Sequence, residues 1–521
     1  MQPFLNEVET PAPMTANRTP MFDMDKYLAE QSAEILNRIR QFDNKLYLEF
    51  GGKLVFDYHA SRVLPNFDPN VKVRLLQQFK DKTDIILCIH AGDIDHRKMR
   101  ADFGITYDVD VLKLIDDLRR EWDLEITAVV ITRYEDQPSA QSFKNRLERR
   151  DVKVYTHRAT KGYPTDVDVI VSEEGYGSNS YIETTRPLVV VAGPGPGSGK
   201  LGTCLSQLYH EHRHGVQAGY AKFETFPIWN LPLKHPVNMA YEAATADLKD
   251  VNLIDPFHLE AYGKTSINYN RDVEAFPVLK RILEKIMGTE SCYRSPTDMG
   301  VNRVGFGIAD DAGVQEAATQ EVIRRVLRYR CEYMMGLTSR ETVERVELIM
   351  NELGVQVEDR RVVRPAREAA KRAEVEKKGH EGVYCGTAIE LPDGTIITGS
   401  NSPLMHSAAS AVLNAIKYLA EIPDKIHLIA PNIIKAIGNM KRDIKDGKTI
   451  SLNLEEALIA VGASAPFNSA AQIAIEQLVN LRGCDMHTTH MPTPGDEAGL
   501  RTLGVNLTSD AFFATDNLYL V

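Results

Sequence analysis

The sequence predicts a multidomain α/β protein whose N-terminal part is a Rossmann-like or P-loop-like parallel sheet. Three observations carry this. Short apolar, β-rich runs alternate with amphipathic stretches from Lys45 onward; one run enters a turn with glycines at 193, 195, 197 and 199; and the chain is 521 residues long, more than one core usually organises. Hydrophobic residues at 43% and charged residues at 26% fit a folded globular chain and argue against global disorder.

Residues 1–22 read as a loose tail, because prolines and small polar residues stand where a secretory leader needs a basic start and an apolar run. An N-terminal α/β domain is expected over 23–222. Its strands are predicted at LYLEF (Leu46 to Phe50), DIILCI (Asp84 to Ile89), ITAVVIT (Ile126 to Thr132), VDVIVS (Val167 to Ser172) and PLVVVAG (Pro187 to Gly193). The less regular 223–310 reads as an inserted substrate subdomain.

A helical region is expected over 311–380, with Val322, Ile323, Val326 and Leu327 on one face. Within it a capping box of Thr338 and Glu341 opens a helix that Gly354 closes, and the charged run from Arg360 to Lys378 is an exposed helix or linker. The C-terminal α/β domain, 381–521, opens with YCGTAIEL and TIITGS joined through Pro392, Asp393 and Gly394, a hairpin signal. Ser402 then caps a helix with Pro403 in its first turn.

The formal charge of −11 repels nucleic acid and anionic membrane surfaces on average. No apolar run approaches the roughly 20 residues that span a bilayer. The six cysteines (88, 204, 292, 331, 385, 484) are widely spaced and read as free thiols of a cytoplasmic protein. A chain of this class is often a homo-oligomer.

The stretch VVVAGPGPGSGKLGTCLSQLYHEH carries the strongest functional signal. Strand, glycine-rich loop and helix follow in order, and glycine lets backbone N–H groups converge on an anion while the helix N-terminus adds partial positive charge. Gly193, Gly195, Gly197, Ser198, Gly199, Lys200 and Thr203 are the expected ligand-binding residues. Lys200 would neutralise a terminal phosphate. The strict P-loop pattern is broken by Pro194 in place of its first glycine and by Leu201 after the lysine.

Asp93 and Asp95, after the DIILCI strand, are candidates to support a metal. The Gly51-Gly52-Lys53 turn is a weaker anion contact. DFG at 102–104 does not make a kinase, since no glycine-rich hairpin, V-A-I-K strand or H-R-D loop accompanies it. The polar cluster SPTDMGVNRVGFG suits a substrate loop, with Asp298 and Arg303 as candidate catalytic residues beside Lys200, and Asp247, Asp255 and His258 offer acid/base chemistry.

Near the C-terminus Cys484, His487, His490, Asp496 and Glu497 cluster in sequence. If Cys484 to His490 form a strand, His487 faces away from Cys484 and His490, so zinc is not expected from this stretch alone. His490 with Asp496 is left open for polar or catalytic use. The hairpin and helix of Tyr384 to Leu419 are similar in order to the opening of the cytidine-deaminase fold, with His406 at the helix start. Ala408 stands where H-x-E needs its glutamate and no P-C-x-x-C follows, so His406 is read as packed or hydrogen-bonded.

Together YLEFGGKL, ADFGITYD, TKGYPTDVD, GPGPGSGKL, SPTDMGVNRVGFG and HTTHMPTPGDEAGL resemble the bacterial Uncharacterised Protein Family 0371, a domain-of-unknown-function group. The resemblance covers nearly the whole chain after the tail. It implies a bacterial cytosolic protein with a C-terminal subdomain of deaminase-like topology, and nothing about substrate. From the residues, the expected function is an enzyme that binds ATP, another nucleotide with magnesium, or a phosphorylated metabolite, and performs phosphoryl transfer or ligation on a small-molecule substrate. A hydrolase or lyase using phosphate as a handle, and a non-catalytic nucleotide sensor, are the alternatives.

Overall fold

The computed structural model describes residues 20–100, 104–380, 382–445 and 451–514. The expected tail, for residues 1–19, and Asp102 and Phe103 of the DFG triplet lie outside the described residues. The described residues divide into two compact units, the larger ending at Glu321 and the other beginning at Val322.

The larger unit is built on one parallel sheet. Its strands are β1 (Leu46–Phe50), β2 (Thr83–His90), β3 (Ala128–Thr132), β4 (Val154–His157), β5 (Leu188–Ala192) and β6 (Gly219–Phe223), in the order β4-β3-β2-β5-β1-β6. Every residue of β1, β3 and β5 is buried, which is why these strands read as continuous apolar runs: helices cover both faces of a parallel sheet.

Four of the five expected strands form. The fifth, VDVIVS, is instead a helical turn, Val167–Ile170, because the Asp166 carboxylate accepts from the Val169 N–H as an N-cap. Two strands were not expected. β4 is a short edge strand, mostly half-buried, and β6 carries a lysine near its end.

The order places β5 between β2 and β1. After β2 the chain moves outward to β3, whereas after β5 the helix Lys200–Arg213 carries it past β1 to β6. Connections leaving in opposite directions open a crevice at the carboxyl ends of β2 and β5, where ligands bind in open parallel sheets. The stretch 223–310 belongs to the same unit and adds a small antiparallel pair, β7 (Asn252–Ile254) with β8 (Ile267–Tyr269), and the helix Asn270–Met287.

The second unit has a mixed sheet of β9 (Gly386–Glu390), β10 (Ile396–Ser400), β11 (Asp485–Thr488) and β12 (Asn506–Ser509), ordered β10-β9-β11-β12, with only β11 and β12 parallel. Ala388 packs with Val362 and Ala366 while its neighbour Ile389 packs with Ala409 and Val412. Adjacent strand residues face opposite sides, so the helices Val363–Val375 and Ser407–Leu419 cover opposite faces.

The charged run is therefore no exposed linker: within it Val363, Ala366, Ala369 and Ala373 are buried. The expected hairpin forms, with Gly394 at φ 83°. The caps differ from expectation. Ser339, not Thr338, accepts the Thr342 N–H at the start of Arg340–Glu352, and His406 rather than Ser402 precedes Ser407–Leu419. Ser402 serves instead the N–H groups of Leu404 and Met405. Val322, Ile323, Val326 and Leu327 are all buried as expected.

Candidate functional site

The glycine-rich turn leaves β5 at the crevice between β2 and β5. Gly197 and Gly199 take φ of 75° and 88°, values that L side chains rarely adopt. A Cβ on Gly199 would stand 2.6 Å from the Thr132 side chain at the end of β3, whereas one on Gly197 would meet nothing within 4 Å. The turn is thus packed on the strand ends below and open above.

Polar contacts hold it. Thr132 Oγ1 donates to the Ser198 carbonyl at 2.8 Å, and Lys200, only 8% exposed, donates to the Gly195 carbonyl at 3.2 Å and to Ser198 Oγ at 3.3 Å. Thr203 lies beneath the turn, where its hydroxyl accepts from the Cys88 thiol at 3.4 Å. Burial pushes that thiol up to about 12, so Cys88 is an inert core group. All six cysteines are free.

A second set of charges, not expected from the sequence, gathers at the carboxyl ends of β1 and β6. Lys222 donates to both carboxylate oxygens of Asp272 at 2.7 and 2.8 Å and pairs with Glu224 at 3.1 Å; Tyr269 also meets both Lys222 and Glu224. Glu49 on β1 accepts from Tyr220 at 2.7 Å. Burial pulls the Lys222 ammonium down, but Asp272, Glu224 and Glu49 outweigh it and hold it above the ordinary lysine range.

Burial, together with the charges of Asp272 and Glu49, pushes the Glu224 carboxyl up to about 7 against the pull of Lys222. Its side chain stays 24% accessible. Gly51 makes the room: a Cβ there would lie 2.2 Å from Glu224 Cγ. The Gly51-Gly52-Lys53 turn is held from below by Lys72, which donates to the carbonyls of Gly51 and Lys53 at 2.9 and 3.1 Å. Lys222 near the end of an otherwise uncharged strand, with Glu224 just beyond it, was the available sequence signal.

Asp298 and Arg303 sit elsewhere. They line a cavity of 720 Å³ to which no residue of the glycine turn contributes. Asp298 closes a capping box with Ser295, and its Oδ2 accepts from Tyr262 and from the N–H groups of Arg294 and Ser295. His258 Nδ1 is 3.0 Å from Ser295 Oγ and 3.8 Å from Asp298 Oδ1. Serine and carboxylate share one ring nitrogen, so these three form no nucleophile–base–acid relay, which needs both nitrogens. Asp255 is a fully buried cap that accepts from the His258 N–H and the Thr297 hydroxyl; Asp247 is exposed.

The expected metal residues are otherwise engaged. Asp93 pairs with Lys98 at 3.5 Å and Asp95 accepts from Ser139 at 2.9 Å. In the second unit Cys484 donates to the Asn480 carbonyl, His487 meets Thr508 and Asp510, and His490 meets Thr489. Asp496 turns to His406, whose Nδ1 lies 2.6 Å away. His406 is thus hydrogen-bonded, and among the described residues no three His, Cys, Asp or Glu side chains gather around a metal position.

These features define a two-unit α/β protein whose larger unit concentrates partly accessible charge at the carboxyl ends of a parallel sheet. The chain belongs to the DUF1846 family: the model described as domain of unknown function DUF1846, N-terminal, matches residues 20–354, and its C-terminal counterpart matches 358–519. It is 58% identical over 499 residues to a UPF0371 protein of Clostridium botulinum strain Langeland, covering 96% of this chain and 99% of the relative. A UPF0371 protein of Clostridium tetani is 57% identical over 498 residues, with the same coverage. The family expected from the residue blocks is the one found. No helix of the described residues is long and apolar enough to cross a membrane.

Proposed function

We propose that the larger unit is an enzyme that binds a nucleotide or phosphorylated metabolite on Gly193–Lys200 and transfers a phosphoryl group to, or ligates, a small-molecule substrate. The observation that carries this reading is Glu224. A partly accessible carboxyl raised to about 7 stands on the same carboxyl edge of the sheet as a glycine turn that is open above Gly197. In this reading the sheet is of the Rossmann or P-loop kind, supported by the reversal of strand connections at β2 and β5. The order β10-β9-β11-β12 with His406 before the following helix supports a deaminase-like second unit.

The turn's N–H groups and Lys200 hold phosphate oxygens, with Lys200 exchanging its bonds to Gly195 and Ser198 for them. Glu224 takes the proton that the attacking hydroxyl or amine of the acceptor loses as its bond to phosphorus or carbon forms. The Lys222 ammonium beside it stabilises the carboxylate that receives this proton. ATP, when bound, would supply the phosphoryl group with ADP as the leaving group, and in ligation the phosphate it places on a carboxyl would leave as that carbon is attacked. Asp93 and Asp95, the residues expected near a magnesium ion, are engaged with Lys98 and Ser139, so no step runs through a metal held by them.

A thermal-shift screen of nucleotides, dinucleotides and sugar phosphates tests this. A ligand at about 100 times its Kd stabilises by roughly 2.7 kcal/mol. Lys200→Ala should lose that stabilisation, whereas Glu224→Gln should keep it and lose turnover. If no phosphate compound stabilises the wild type, the reading fails.

A further inference from the structure

The cavity that holds Asp298 and Arg303 has its own chemistry, independent of the glycine turn. Its 720 Å³ falls in the range of small-molecule pockets. Two of its walls are aromatic. On one, Trp229 is fixed by donating its Nε1–H to the Asn302 carbonyl at 2.9 Å, and its ring lies 6.1 Å from that of Phe306. On the other, Tyr262 packs 4.8 Å from the His258 ring.

The acids lining it already have partners. Glu34 divides its two oxygens between Arg38 and Arg303, and Asp298 Oδ2 accepts the three donors described above. Cations remain in excess: Arg38, Arg303 and Lys264 line the cavity against Glu34 and Asp298. Arg303 is the best placed of them. Its NH2 is held by Glu34, its guanidinium lies 5.5 Å over the Phe306 ring, and 29% of its side chain is accessible. One edge of a planar five-donor fork is thereby oriented, and the rest is left for a ligand. Lys264 is exposed and adds a mobile positive charge. Beneath, the Arg38 Nε is buried with no hydrogen-bond partner.

We propose that this cavity binds a small planar aromatic carboxylate, with the ring against Trp229 and Tyr262 and the carboxylate on Arg303 and Lys264. An aromatic wall beside an oriented guanidinium suits a ligand that offers both a ring and an in-plane anion, since Arg and carboxylate pair two-pronged. The site is distinct from the glycine turn and needs no nucleotide.

The chain has two tryptophans, so Trp122→Phe leaves Trp229 as the reporter. In that background 4-hydroxybenzoate should change the Trp229 emission saturably, and calorimetry should give the same Kd. Cyclohexanecarboxylate, which lacks the ring, and benzyl alcohol, which lacks the charge, should each bind at least about tenfold more weakly, the factor expected for one lost charge-assisted bond or aromatic contact. Arg303→Gln should weaken 4-hydroxybenzoate by about tenfold or more. Lys264→Gln, at an exposed position that folding does not need, should weaken it severalfold, and Lys200→Ala should leave it unchanged. No saturable change with 4-hydroxybenzoate overturns the proposal. So does binding that survives Arg303→Gln and Lys264→Gln together, an equal response to inorganic phosphate, or loss of binding in Lys200→Ala.

Discussion

Two stretches promised chemistry, the glycine turn 193–200 and the histidine-rich 484–497, and they behave oppositely. Residues 193–200 act together because a loop folds onto itself: Lys200 returns to Gly195 and Ser198. Residues 484–497 disperse. Only His487 lies on the strand, Cys484 and His490 flank it, Asp496 sits on the following helix, and their partners are separate, Asp496 reaching His406 across 90 positions. Closeness in sequence becomes closeness in space where the backbone turns back, and is lost where it runs straight.

The largest effect is expected where the glycine turn is made to carry a side chain. Gly199→Val should cost about 4 kcal/mol in denaturant unfolding, from a left-handed residue and a clash with Thr132. A loss below about 1 kcal/mol would mean that the turn is not held as described. Next in size among the destabilising substitutions is Asp496→Ala, which leaves the buried Leu454 N–H without its 2.8 Å acceptor and frees His406. About 2 kcal/mol should be lost, while Glu497→Ala, on the same helix but exposed, should lose almost nothing. Equal losses would return the pair to a common local role.

Glu224 gives the fold a pH dependence. Its carboxyl is raised in the folded protein, so between its unfolded value and about 7 the folded state holds more protons than the unfolded chain. Stability should therefore fall as pH rises across that window, on the order of 3 kcal/mol, and Glu224→Gln should flatten that slope in urea titrations at several pH values. An identical slope in both proteins would remove Glu224 from consideration as a poised group. The smallest effect belongs to zinc: stoichiometric zinc should leave Tm unchanged, because Cys484, His487 and His490 have separate partners, and a rise of several degrees would show that they converge after all.

Legibility tracked how local the cause was. LYLEF, DIILCI and PLVVVAG are visible because burial on both faces demands uninterrupted apolar residues, and the hairpin at Pro392–Gly394 because its glycine takes a left-handed turn. VDVIVS misled because its alternation resembles a half-buried strand while Asp166, just before it, caps a helical turn. The run 360–378 read as solvated because its charges outnumber its alanines, yet small residues at helical spacing suffice to bury a face.

The α/β class, most of the central strands, the glycine turn and the family are legible in the chain because each is written in contiguous residues. Only the tertiary structure decided that β5 lies between β2 and β1, that Glu224 faces Lys222 and Asp272, and that Arg303 joins Glu34 rather than Lys200. These pairings connect residues separated by up to 269 positions. Such contacts are set by strand order and by the balance of charge burial against pairing, and neither quantity is carried by a local pattern of residues.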